Sequence, residues 1–405
     1  MNDINSRSIP EPLVFVVFFF SIFMFFTPFE QGGTNASMFP KYLVAGVSLM
    51  LLVPLFVVAK ISLKTSSVLV LLALGAILLH TMVVNPVPGQ FVLLIFANVF
   101  LAVLIYEASF IWRKQFVSAV SWVLKAHALA ISIQAFQYYA FNRIFDFHKF
   151  LFGSDSRFVE DYLNIARFSG MQVEPGTYAN YIACLLAILL MAAPFRANVF
   201  WTAGIALISI FLTNSGSSIY FVPVLSVLLM YLGRDKIKPL HILSLAFVML
   251  AYLYFSGILA HLQMRFVEQD DGSLSHRLSG VQAYLTTTWE DKFIGVGFGK
   301  DPCVRCFYQD IGVIFNLLTR GGAMVAIALA PLLFRAVAVN GITLSLLLLL
   351  IPLNEKMFFY EAPIWLFFLF ATTALSQAAA TRELRRTASA PAIASSAGVP
   401  SKGTP

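Results

Sequence analysis

Runs of about 18 continuous apolar residues, one after another along the chain, decide what this sequence can fold into. Each is long enough to cross roughly 30 Å of hydrocarbon as a helix. Inside lipid the backbone has no water to bond, so only helix bundles and closed barrels span a membrane. Barrel strands alternate apolar and polar residues, and these runs do not alternate. The sequence therefore predicts an all-α polytopic membrane protein. Composition agrees: 59% of residues are hydrophobic, 40 are Phe and only 12% are charged, where soluble domains carry about 25%. The first run lacks a strongly basic leader, and Thr27-Pro28-Phe29-Glu30 is a poor cleavage site. It reads as a span and not as a removed signal.

About twelve spans are expected, near 13–28, 42–59, 66–84, 91–107, 117–139, 177–193, 198–213, 218–232, 240–259, 311–334, 337–352 and 363–379. The segments between them alternate in charge. One set carries Lys60 and Lys64, Arg113 and Lys114, Arg196, Arg234, Lys236 and Lys238, Arg335, and Arg382, Arg385 and Arg386. The short turns of the opposite set carry Lys41 and Lys356 and almost nothing else that is basic. Basic residues in short loops mark the cytoplasmic side, so both termini are expected there. The formal charge of +7 is accounted for by those loops, which face anionic membrane lipids. A nucleic-acid partner would need a clustered basic face with aromatic platforms, and none is present. Residues 1–380 form the membrane domain, and the Ala/Ser/Pro/Gly-rich residues 381–405 are expected to be a disordered cytoplasmic tail.

Two external segments are much longer than the rest, about 140–176 and about 260–310, and both are mixed in charge. Long loops in a compact protein are usually functional. The first ends in Arg167-Phe-Ser-Gly170-Met-Gln-Val-Glu174-Pro175-Gly176. Pro175 suits the first position of a helix, and Glu174 suits its positive end. Arg167 brings a guanidinium to the same membrane mouth, where it can grip phosphate bidentately, and Arg157 is a second candidate in that loop. The second segment holds Asp270-Asp271-Gly-Ser-Leu-Ser-His276-Arg277. Leu274, Leu278, Val281, Leu285 and Trp289 recur at helical spacing, which predicts an amphipathic helix on the membrane surface or over a cavity. Asp271 or Ser273 would cap it. His276 and Arg277 then project from its first turn, where backbone N–H groups favour anions. Gly295-Val-Gly297-Phe-Gly299 lacks the strand and βαβ setting of a dinucleotide site, so it reads as a tight turn approaching a ligand or another loop. Asp310 stands just before the tenth span, and Cys303 and Cys306 leave a local disulfide open.

Within the spans, Arg320 is the group that most needs a reason, because an intramembrane arginine faces a polar cavity or a partner. Lys125 can snorkel, His127 is a weaker candidate, and Cys184 reads as packing. Glu355 and Glu361, in the last external turn, either pair with loop arginines or are solvated. Arginines over a membrane cavity, with scattered carboxylates, suit chemistry on a lipid-linked anionic substrate. A diphosphate leaving group needs positive charge where negative charge develops, and a carboxylate or His can take the proton of an attacking hydroxyl. With arginine in that role, neither a metal nor another cofactor is expected.

The order of these motifs resembles a family. A long loop ends in R-x-x-G-x-x-x-E-P (Arg167 to Pro175), and a second carries S-x-R (Ser275 to Arg277) and I-G-V-G-x-G (Ile294 to Gly299). A span then follows an acidic residue and places a charged residue before Gly321-Gly322. This resembles the bacterial O-antigen and exopolysaccharide repeat-unit polymerases (Wzy-type) of the O-antigen ligase superfamily, over roughly 140–330. The resemblance implies a multi-pass glycosyltransferase of the bacterial inner membrane. It would join undecaprenyl-diphosphate-linked oligosaccharide repeat units at the periplasmic face, with a chain-length regulator as a further partner. Glu174, Arg277 and Asp310 would be catalytic, and Arg157, Arg167, His276 and Arg320 would bind substrate. Where the family often has Ser-Arg-Gly after the seventh span, this chain reads Thr213-Asn-Ser215-Gly216. Ligases tend to place His before the tenth span, where Asp310 stands here. The rival readings are a glycan ligase using the same donor and a lipid-linked oligosaccharide transporter.

Overall fold

The computed structural model describes residues 9–27, 39–58, 63–84, 87–153, 155–156, 166–233, 240, 243–244, 246–247, 250, 254, 272–298 and 311–373, with backbone only at 39–42, 56, 58 and 272–278. Among these residues the chain is helical and has no strand. The helices are α1 (Glu11–Phe25), α2 (Phe39–Val58), α3 (Thr65–Val83), α4 (Gly89–Ile111), α5 (Arg113–Phe141), α6 (Phe147–Phe152) and α7 (Pro175–Ala192). They continue with α8 (Ala197–Phe211), α9 (Gly216–Gly233), α10 (Gly272–Thr286), α11 (Trp289–Ile294), α12 (Val313–Asn340), α13 (Ile342–Asn354) and α14 (Ala362–Ala371). Six of them, α3, α4, α5, α7, α9 and α12, are long and apolar enough to cross a membrane. Shorter apolar helices are α1, Leu43–Leu55 within α2, α8, α13 and α14. Together they occupy every expected run except 240–259, which lies largely outside the described residues, as does the tail 381–405.

The bundle is organised around α7. Every residue from Tyr178 to Ala192 is buried, as expected of a helix that is apolar all round. It is enclosed by α5, α8, α9, α13 and α14. At the other extreme α12 leaves Met324, Ile327, Leu333 and Phe334 uncovered, the surface a helix presents to lipid. The sequence places a cytoplasmic turn at Arg335, but α12 runs on to Asn340 before Gly341 ends it in a left-handed conformation (φ 80°).

Polar side chains collect at the two ends of the bundle. At the basic end, Glu107 accepts from the Lys64 backbone N–H and the Ser67 hydroxyl. This supplies a cap to α3, whose own N-cap side chain makes no such bond. Arg335 donates to Ser66, Ser66 to the Thr372 carbonyl, and Arg113 twice to the Ala192 carbonyl. At the opposite end the first long segment is not a surface loop throughout. α5 extends to Phe141, Asn142 ends it with φ 51°, and Asp146 caps the short α6. Residues 166–174 then run as irregular chain into the bundle, where Ala166, Phe168, Ser169, Gln172 and Val173 are buried.

Irregular backbone at such depth survives only if its polar groups find partners inside the protein. Gln134 of α5 supplies several. Its Oε1 accepts from Ser169 N (3.2 Å) and Gly170 N (2.7 Å), and its Nε2 donates to the carbonyls of Gly170 and Phe145. Asn214 donates to the Ala166 carbonyl, and Gln172 reaches the Phe26 carbonyl. Gln134→Ala strips two buried N–H groups of their acceptor and should lower stability by about 2–4 kcal/mol. Gln137→Ala, which loses one exposed bond to Phe145 N, should lower it by about 1 kcal/mol or less. Denaturant unfolding of the detergent-solubilised proteins measures both.

Candidate functional site

The buried segment delivers its polar residues to the start of α7. Glu174 is the N-cap residue in extended conformation, and Pro175 is the first helical residue, as the sequence predicts. The Glu174 side chain makes no cap bond to the helix; instead its Oε1 accepts from the Thr177 hydroxyl at 3.3 Å. Arg167 and Glu174 are both half-buried and stand at the two ends of one short segment. One turn further along α7, Asn180 donates to the Gly176 carbonyl (2.6 Å) and lies 3.4 Å from Ser217 at the start of α9.

The turn 355–361, which joins α13 to α14, packs against this part of α7. Lys356 N donates to Asn180 Oδ1 at 3.2 Å, and the Tyr181 hydroxyl donates to Glu361. The turn is pinned further by Asn98 on the Tyr360 carbonyl and by Trp365 on the Phe359 carbonyl. Glu355 is fully buried and Glu361 is 7% exposed. The sequence left these two as loop-paired or solvated; solvation is excluded, because the short turn is folded inward under α7 and α4. Burial, and then the charge of Glu361, push the Glu355 carboxyl well above the usual carboxylate range. Gly312, with φ 100°, lies against the Leu353 carbonyl where no Cβ fits, so the start of α12 abuts the chain two residues before Glu355. An apolar groove of about 220 Å³ runs inward from there between α12 and α13, past Ile314, Leu318, Leu349 and Phe368.

Arg320 sits at a second junction. α12 is broken at Gly322, whose φ of 59° and ψ of −161° are not helical. The turn 295–297 fills the break. Val296 N donates to the Thr319 carbonyl (3.1 Å) and Gly297 N to the Arg320 carbonyl (2.9 Å). Gly295 and Gly322 touch backbone to backbone, and a Cβ on either would collide with the other's main chain. The sequence expects these glycines to approach a ligand or another loop; the structure puts them against the tenth span instead, because the break at Gly322 exposes main chain for them to bond. The Arg320 guanidinium donates to the Phe298 carbonyl (3.1 Å) and to Asn316 (3.0 Å). His80 of α3, which sequence reasoning passed over, donates through Nε2 to the Ile294 carbonyl and packs its ring on Phe298.

The amphipathic stretch is two helices. α10 ends at Thr286, and Thr288 caps α11 by accepting from Asp291 N. Val281 and Ala283 of α10 pack on Ile311 beside Phe315, so α10 leans on the start of α12. His276 and Arg277 lie in the second turn of α10, and their side chains are outside what is described. Arg157, Asp310, Cys303 and Cys306 are outside the described residues as well. His127 is fully buried, 3.1 Å from Thr27, with its ring tilted against Phe23 and edge-on to Tyr178, and Lys125 lies over Trp122. Cys184 is a buried free thiol. No group of three or more His, Cys, Asp or Glu able to hold a metal occurs among the described residues.

The structure thus gathers Glu174, at the head of α7, with Glu355 and Glu361 of the last turn, through Asn180, Tyr181 and Ser217, three residues the sequence did not single out. The available signal was helical spacing, since Thr177 and Tyr181 share a face with Glu174. No protein-family model and no curated protein matches the chain.

Gly295→Ala and Gly322→Ala should each destabilise the protein by about 1–3 kcal/mol or more through strain at positive φ and backbone collision. Gly204→Ala, where a Cβ meets open space inside α8, should be neutral or mildly stabilising. Thermal unfolding of the three variants in detergent checks the contrast.

Proposed function

We propose that the protein is a polysaccharide repeat-unit polymerase, a glycosyltransferase of the bacterial inner membrane acting on undecaprenyl-diphosphate-linked oligosaccharides. The observation that carries this reading is the inward-folded segment 166–174, which sets Arg167 and Glu174 at one end of the central helix. A lipid diphosphate waits at just such a level, at the boundary between hydrocarbon and water. Twelve spans, with that end facing the periplasm and both termini in the cytoplasm, complete the arrangement. The groove between α12 and α13 is apolar along its length and suits an isoprenoid chain.

In this reading the free hydroxyl of the incoming lipid-linked repeat attacks the anomeric carbon of the growing chain. A C–O bond forms there as the C–O bond to diphosphate breaks, and the diphosphate leaves with the electron pair. Arg277, Arg167 and Arg157 stabilise the charge that develops on it. Glu174 accepts the proton of the attacking hydroxyl, Asp310 assists it, and His276 contacts the substrate. Arg320 supports the turn beneath α10 and α11. A chain-length regulator is the partner such a polymerase would work with.

One observation favours a second reading. Transporters build their sites from broken helices, and α12 is broken beside an arginine. Transfer between defined lipid-linked oligosaccharides by the purified protein separates the two: a polymerase lengthens chains without a second compartment, and a transporter does not. Glu174→Gln should slow transfer by about 100-fold or more, and Arg277→Ala should abolish long chains while single lipid-linked repeats accumulate. Unchanged chain lengths in both variants would sink the site assignment. Sidedness has its own test in a chain lacking Cys303 and Cys306. A cysteine at Lys149 should react with an impermeant maleimide from the periplasm, and one at Lys114 only after permeabilisation.

A further inference from the structure

Glu355 is fully buried, and neither of its oxygens has a hydrogen-bond partner among the described residues. An ionised carboxylate so placed would have lost its water and received nothing in exchange. Glu361, six residues along the same turn, is better provided for, because the Tyr181 hydroxyl donates to it. A carboxylate that receives a donor is favoured as the anion, and one left bare beside it is favoured as the acid. Polar groups from several elements are held on or near the turn. α7 contributes Tyr181, Asn180 and Cys184, the last within electrostatic reach of Glu355. The turn contributes Lys356, whose backbone N–H is held by Asn180. From α4, Asn98 bonds the Tyr360 carbonyl. From α9, Tyr220 bonds the Leu350 carbonyl.

We propose that Glu355 is a proton-binding site, a carboxyl that carries its proton at neutral pH while its neighbour Glu361 is ionised. The inference goes beyond the transferase reading and stands apart from it, since it needs only the buried turn. Burial first, and the Glu361 charge second, act in the same direction on Glu355. A proton held here can be released or replaced as charge at the α7 mouth changes. Loss of the proton would put a second negative charge into an apolar turn and force 355–361 away from α7.

Infrared spectroscopy of the full-length protein in lipid nanodiscs tests this without any substrate. At pH 7 the wild type should show the carbonyl stretch of a protonated carboxylic acid, sensitive to heavy water, and Glu355→Gln should lack it. Absence of that band from the wild type, or its survival in Glu355→Gln and loss in Glu361→Gln, would overturn the assignment. Thermal unfolding gives an independent reading. A carboxyl whose folded pKa is raised contributes fully below the usual carboxylate range, and its contribution is lost as pH rises. The melting temperature of Glu355→Gln should therefore gain on the wild type as pH is raised from 5 to 8. A difference that shrinks or reverses over that interval contradicts the proposal. Either result leaves the oligosaccharide-transfer test untouched.

Discussion

Everything in this molecule depends on satisfying backbone polar groups where no water can do so. Regular helices meet that demand within themselves, and most of the chain is regular helix. Among the described residues the segment 166–174, the break at Gly322 and the turn 355–361 do not, and all lie at the same end of the bundle. Residues 166–174 are served by side chains from elsewhere, chiefly Gln134, with Asn214 taking the Ala166 carbonyl. The break at Gly322 is served by the backbone of 296–297. A membrane bundle that carries such exceptions must commit polar side chains to supporting them.

The helical plan was legible in the sequence because apolar runs of span length have few alternative folds in lipid. Pro175 at the head of α7 and the helical stretch after Asp271 were legible for equally local reasons. What escaped was tertiary. Gln134 looks like an ordinary polar residue on a helix, and nothing near it in the chain reveals that it holds residues 35 and 36 positions later. Glu355 and Glu361 sit in a short turn that reads as exposed, and only the packing of that turn under α7 and α4 buries them. The glycines at 295 and 297 announced a close approach without naming its target, because the target is a kink in a helix more than twenty residues away.

The candidate site has two supports of different character. The α7 mouth is held by side-chain hydrogen bonds, from Thr177 to Glu174 and from Asn180 to Gly176, and these can exchange partners at modest cost. The Arg320 junction is held by main chain against main chain, with His80 gripping the Ile294 carbonyl from α3. The first is suited to adjusting around a bound group, and the second to keeping α11 registered on the bundle.

That second support has a mechanical consequence. Gly295 and Gly322 meet with no side chain between them, so nothing compressible separates the surface helices from the broken span. A rotation of α10 and α11 cannot be absorbed at the contact by a change of rotamer. It is transmitted as displacement of the upper half of α12, and with it of Ile311, Gly312 and the end of α13 that Gly312 touches. The pair of helices α10 and α11 and the start of α12 are in effect one lever, with its fulcrum at a pair of glycines.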